Sequence, residues 1–134
     1  MTAKTDGPTR LNPATIAPPV GRYSHGMLVP PGAKLLFISG QVGSRPDGTV
    51  PADFAEQARN AWSNLLAILK EGGMTADNLV KTTAYLTRPS DLPAYREVRA
   101  SVAGEVRPAS VLVFVSELAH PSWLFEIEGV AAQV

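Results

Sequence analysis

The sequence predicts an α+β domain, with two helices packed on one face of a mixed β-sheet. Three observations carry that prediction. An amphipathic segment of helical period begins at Asp53, and a second helical segment opens at Asp91. Short segments rich in β-branched and aromatic residues are interleaved with these two, in the order β-β-α-β-α-β-β.

Each element has a local justification. Tyr23 to Val29 and Leu35 to Ser39 flank Pro30-Pro31-Gly32, which predicts a hairpin with a loop longer than two residues. Gly40, Gly43 and Pro46-Asp47-Gly48 then break the chain. Asp53 is the expected N-cap of the first helix, with Glu56 at the capping-box position. Phe54, Ala58, Ala61, Trp62, Leu65 and Leu69 form its apolar stripe, and Gly72-Gly73 end it. Leu79 to Leu86 reads as a strand. Ser90 or Asp91 is the expected cap of the second helix, which carries Pro93 in its first turn and runs to Ala103. Ser110 to Ser116 and Trp123 to Ala131 read as strands. Alternation in the last strand puts Trp123, Phe125 and Ile127 on one face, and Leu124, Glu126, Glu128 and Val130 on the other. Residues 1–20 are rich in Pro, Thr and Ala without a period and predict a flexible N-terminal arm. Residues 21–134 then form a single domain, with order beginning near Gly21.

Composition narrows the function classes. A chain of 134 residues is one domain of ordinary size. Twelve Lys and Arg balance twelve Asp and Glu, so a nucleic-acid partner is not expected. The absence of cysteine excludes disulfides, a thiolate nucleophile and Cys-ligated metals. With His25 and His120 as the two imidazoles, no metal site is expected. The longest apolar runs fall far short of the ~20 residues that span a bilayer. Met1 to Arg10 lacks a signal-peptide core, so a cytoplasmic protein is expected. No Gly-Lys-Ser/Thr and no Gly-x-Ser-x-Gly occurs.

Residues able to do chemistry remain. Glu126 and Glu128 alternate with apolar residues in the last strand, where a carboxylate can orient a water or relay a proton. The plainer reading is two carboxylates facing solvent. Arg96, Arg99 and Arg107 cluster around the second helix, and an arginine holds a carboxylate by two parallel hydrogen bonds. The plainer reading is an exposed helix face, with Arg96 beside Glu97 and Arg99 near Glu105. Tyr23 offers a phenol for orienting a substrate, or simply packing.

Several blocks resemble a known family. Gly21-Arg22-Tyr23-Ser24-His25 leads to Leu36-Phe37-Ile38-Ser39-Gly40-Gln41-Val42-Gly43. Gln57 to Leu65, Val80 to Leu86, Arg107-Pro108-Ala109-Ser110 and Phe125-Glu126-Ile127-Glu128-Gly129 follow at compatible spacing. Over about Pro18 to Ala131 the chain resembles the Rid (YjgF-like) family of reactive-intermediate imine and enamine deaminases. The resemblance implies a chorismate-mutase-like fold and a homotrimer with clefts between neighbouring chains. It implies hydrolysis of a carboxylate-bearing enamine or imine to a 2-oxo acid and ammonia, without cofactor or metal. Tyr23, Ser39 and Gly40 match cleft positions, Leu112 matches a backbone carbonyl contact, and Glu126 matches the glutamate that positions water. Ser110 falls where the family's Pro-Ala-Arg motif places its arginine, and Arg96 falls where a second-helix asparagine is expected. The chain is therefore expected to be a divergent member whose substrate differs from 2-aminoacrylate, with Arg96 or Arg99 restoring the lost charge. The alternative is a non-catalytic trimer that binds a small metabolite or a partner in the same clefts.

Overall fold

The structure is a computed structural model, and it describes residues 7–134. Its elements are β1 (Thr9–Leu11), β2 (Gly26–Leu28), β3 (Lys34–Val42), α1 (Phe54–Glu71), β4 (Leu79–Leu86), α2 (Leu92–Ala103), β5 (Ala109–Phe114) and β6 (Phe125–Gln133). A four-stranded mixed sheet has the order β3-β6-β4-β5, with β5 parallel to β4 and the other pairs antiparallel. Both helices pack on one of its faces, as the α+β prediction requires.

The core lies between that face and the helices. Alternate residues of β4 and β6 (Ala84, Leu86, Phe125, Ile127, Ala131) meet the α1 stripe of Phe54, Ala58, Ala61, Trp62, Leu65 and Leu69. From α2 come Tyr95 and Val98. Asp53 caps α1 as expected, its side chain accepting from the Glu56 N–H at 3.1 Å, but the Glu56 carboxylate turns away to Arg45 instead of closing a capping box. Asp91 takes the N-cap position of α2 as expected, but its side chain makes no capping hydrogen bond: a 3-10 turn over Pro89–Asp91 leads into the helix, and Arg88 donates to the Asp91 carboxylate at 2.7 Å.

Three other expectations are corrected. Tyr23 to Val29 does not form a hairpin with Leu35 to Ser39: β2 pairs with β1, and β3 pairs with β6. Pro30 and Pro31 carry no N–H for a ladder, whereas β6 offers β3 a nine-residue partner. Order does not begin near Gly21, because Thr9–Leu11 inside the expected arm is a strand; residues 1–6 lie outside the described residues. Trp123 precedes the last strand instead of joining its apolar face, and its ring lies 5.5 Å from that of His120.

A polar row on α1 latches the loops near the sheet end. Gln57 is fully buried; its amide donates to the Pro51 and Ser122 carbonyls at 2.8 and 3.0 Å, and its carbonyl accepts from the Leu124 N–H at 2.8 Å. One and two turns on, Asn60 donates to the Gly43 carbonyl, and Asn64 donates to those of Val42 and Ser44. Gln57→Leu strands three backbone groups at once. At about 1 kcal/mol or more each it is expected to cost about 3 kcal/mol, read as a lower urea midpoint with an unchanged slope.

Candidate functional site

Register decides which side chains share a face. Thr82 pairs with Ser110 and Ala84 with Leu112, so Ser110 and Leu112 lie on the helix side of the sheet, at its β5 edge. Tyr85 pairs with Glu126 and Thr83 with Glu128, so both glutamates lie on the opposite, uncovered side. The expected site residues therefore form two half-sites that one chain does not bring together.

The first half-site is on the uncovered face. Ser39 and Gly40 form an irregularity in β3: the register passes from Ile38 opposite Gly129 to Gln41 opposite Ile127, leaving two residues against Glu128 alone. The bulge lets Glu126 lie across the strand. A Cβ built on Gly40 would overlap Glu126 Oε2 and stand 2.8 Å from its Cδ. Beside it is a depression of about 380 Å³ lined by Ser39, Lys81, Thr83 and Glu128, among others. The Tyr85 hydroxyl donates to Glu128 Oε1 at 2.8 Å, and that bond holds the phenol above its ordinary pKa. Phe37, 73% exposed, Leu35 and Val111 stand uncovered on the same face.

The second half-site is a cleft of about 200 Å³ where α2, β4, β5 and the chain before β2 meet. Tyr23, Ser110 and Leu112 line it, together with Arg22, Tyr95 and Arg99. Ser24, buried and bonded to the Arg107 and Pro108 carbonyls, fixes Tyr23 beside β5. Ser110 is bound on both sides, to Thr82 Oγ1 at 2.9 Å and to the Pro108 carbonyl at 3.1 Å. Of the two arginines expected to supply charge, Arg99 lines the cleft, while Arg96 is exposed on α2 and lies outside it. Arg99 sits against core residues Tyr95 and Val98, whereas Arg96 follows Tyr95 on the outward turn; helical spacing distinguishes the two once Tyr95 is known to face inward. The expected pairing of Arg99 with Glu105 does not form, because Glu105 bridges Arg22 and Arg107 at 3.4 and 3.2 Å. Among the described residues no group of three His, Asp or Glu converges as a metal site, and no helix is long and apolar enough to cross a membrane. Tyr85, Tyr95 and Arg22 had no functional signal in sequence beyond their residue types: the β4–β6 register places Tyr85 on the face of the two glutamates, and the packing of α2 and of the chain before β2 brings Tyr95 and Arg22 to the cleft.

Comparisons with known proteins agree with this architecture. A family model described as endoribonuclease L-PSP matches residues 14–133. A RutC family protein of Pyrococcus abyssi is 35% identical over 84% of this chain and 87% of its own length. The 2-iminobutanoate/2-iminopropanoate deaminase of Rattus norvegicus is 34% identical over 85% of this chain and 82% of its own. A crystal structure of the Rid family protein YyfB from Yersinia pestis superposes with a TM-score of 0.84 at 28% identity, covering 95% of this chain and 99% of that one. A sheet with both helices on one face, a bulged Ser39-Gly40 beside Glu126 and a match across nearly the whole domain place this chain in the Rid family, also known as the YjgF or RutC family.

Proposed function

We propose that the protein is a divergent imine or enamine hydrolase acting in clefts between subunits of a homotrimer. The observation that carries this is the division of the site. Glu126 and Gly40 stand on the uncovered face, and Tyr23 and Ser110 stand at the β5 edge on the other. Two copies are needed to bring the halves together, and the exposed Phe37, Leu35 and Val111 give the uncovered face an apolar surface to bury. The deaminase activity of the Rattus norvegicus relative supports the reaction class.

In this reading the Glu126 carboxylate accepts a hydrogen bond from a water and directs its oxygen at the C=N carbon. The C–O bond forms as Glu126 takes one water proton and relays it to the nitrogen. The carbinolamine then collapses: its hydroxyl proton passes to the nitrogen as C=O forms and C–N breaks, releasing ammonia and a 2-oxo acid. The reaction is a hydrolysis with no net electron transfer, so no cofactor is required. Tyr23 and Ser110 orient the substrate, and the Leu112 and Ser39-Gly40 backbones line the cleft. The substrate is a small carboxylate-bearing metabolite other than 2-aminoacrylate, met in the cytoplasm. Zero net charge makes RNA a poor alternative, and RNA binding that weakens with salt would argue for it.

Ser110 favours a second reading, a non-catalytic trimer that binds a metabolite or a partner in the same clefts. A neutral hydroxyl gives up a charge-assisted pair worth about 1.5–3 kcal/mol, or about 10- to 100-fold in affinity for a small carboxylate. A dehydratase that generates 2-aminoacrylate in place, with release of 2-oxo acid followed, separates the two. Wild type is expected to be slow and Ser110→Arg faster by about tenfold or more. Inactivity of both, with saturable metabolite binding, would favour the binding protein. Light scattering tests the trimer directly.

A further inference from the structure

The Ser110 cleft carries a neutral hydroxyl on β5 and, on α2, a cation that the fold leaves without an anion. Arg99 projects from α2 into the junction of helix and sheet, its guanidinium 5.6 Å from the centroid of the buried Trp62 ring. Three of its N–H groups donate to backbone carbonyls: Gly104 at 3.2 Å, Arg22 at 3.2 Å and Val106 at 2.7 Å. These bonds fix the side chain and leave two of its five N–H donors unspent. No carboxylate among the described residues pairs with it, because Glu105 is shared by Arg22 and Arg107. Burial first, then the charges of Arg22 and Arg107, hold its pKa below the usual arginine value. A cation that is partly buried beside two others gains more from an incoming anion than one in water.

Tyr95 adds a donor on the same wall. It is 6% exposed and lines the cleft, and its hydroxyl accepts from Trp62 Nε1 at 3.2 Å. That bond uses a lone pair and leaves the O–H proton unspent. Burial pushes the phenol up to about 12, so the proton stays in place at neutral pH.

We propose that Arg99, with the Tyr95 hydroxyl beside it, is the anion-binding and specificity-determining pair of this cleft, holding the ligand's carboxylate against α2 where Ser110 on β5 has no charge to offer. The pair deepens the reading of this cleft as a substrate site, but it concerns which ligand is held and not whether a C–N bond is cleaved.

Titration of the full-length protein with 2-oxobutanoate and with 2-oxobutanamide, followed by NMR, tests it. Wild type is expected to prefer the carboxylate by about tenfold or more, as one charge-assisted pair requires. Arg99→Gln is expected to bring the two ligands within about twofold, and Arg96→Gln to leave the preference intact. Arg99 also clamps three carbonyls, so Tyr95→Phe serves as the milder variant: it keeps the ring and lowers the preference several-fold. Equal binding of both ligands by wild type, no binding of the carboxylate, or a preference that survives in folded Arg99→Gln overturns the proposal. The imine-hydrolysis assay reads the other question. Absent hydrolysis with a carboxylate preference that depends on Arg99 removes the enzyme and leaves this site standing. Hydrolysis without the preference does the reverse.

Discussion

Gly43→Ala is expected to destabilise the fold by about 3 kcal/mol or more. A Cβ at residue 43 would lie 2.5 Å from both the Cα and the carbonyl oxygen of Gln57. Those are backbone atoms of α1, so no rotamer change relieves the overlap, and either the helix or the end of β3 must shift. Both are pinned from several directions. Gln57 holds Pro51, Ser122 and Leu124, while Asn60 and Asn64 hold the carbonyls on either side of and at Gly43. A shift that makes room for one methyl therefore loosens several hydrogen bonds together. For a domain of this size the thermal midpoint should fall by roughly 10 °C, taking ~2–4 °C per kcal/mol. A midpoint within about 2 °C of wild type would mean that the approach of β3 to α1 is softer than these contacts imply.

The helices were legible in sequence because their signals are local. The α1 stripe, its Asp53 cap and the terminal Gly72-Gly73 all lie within one continuous segment. Strand pairing is not local. Nothing near Leu35 says that its partner is Ala132, and the three-residue β1 is too short to display a period. Alternation in the last strand correctly separated Glu126 and Glu128 from Phe125 and Ile127. What it does not say is which face Ser110 takes. That depends on a parallel register between β4 and β5, set by the α2 crossover. The division of the expected site into two half-sites was therefore out of reach of sequence alone. So was the choice between Arg96 and Arg99, which are three residues apart on one helix but stand on different sides of the line between cleft and solvent.

Gly40→Ala is expected to slow hydrolysis by about 10²-fold or more while barely changing stability, the reverse of Gly43→Ala three residues on. Its Cβ would overlap the Glu126 carboxylate, which is the far end of a flexible side chain and turns aside at little cost on a face open in the single chain. A midpoint shift of a degree or two is expected. The carboxylate no longer rests where the bulge admitted it, however, and a water directed by it is misplaced. Positioned acid–base groups contribute about 10²- to 10⁴-fold, so a loss of about 10²-fold or more in kcat/KM is expected, on whichever substrate wild type turns over. Glu126→Gln should lose as much, because an amide keeps the shape and loses the proton acceptor. Combined, the two substitutions should be far less than multiplicative, since both remove one function. Multiplicative losses would assign Gly40 a role apart from Glu126, such as backbone contact with the substrate. An active Glu126→Gln would remove the water-positioning role altogether and turn attention to Glu128, the neighbouring carboxylate on the same face, which Tyr85 already holds.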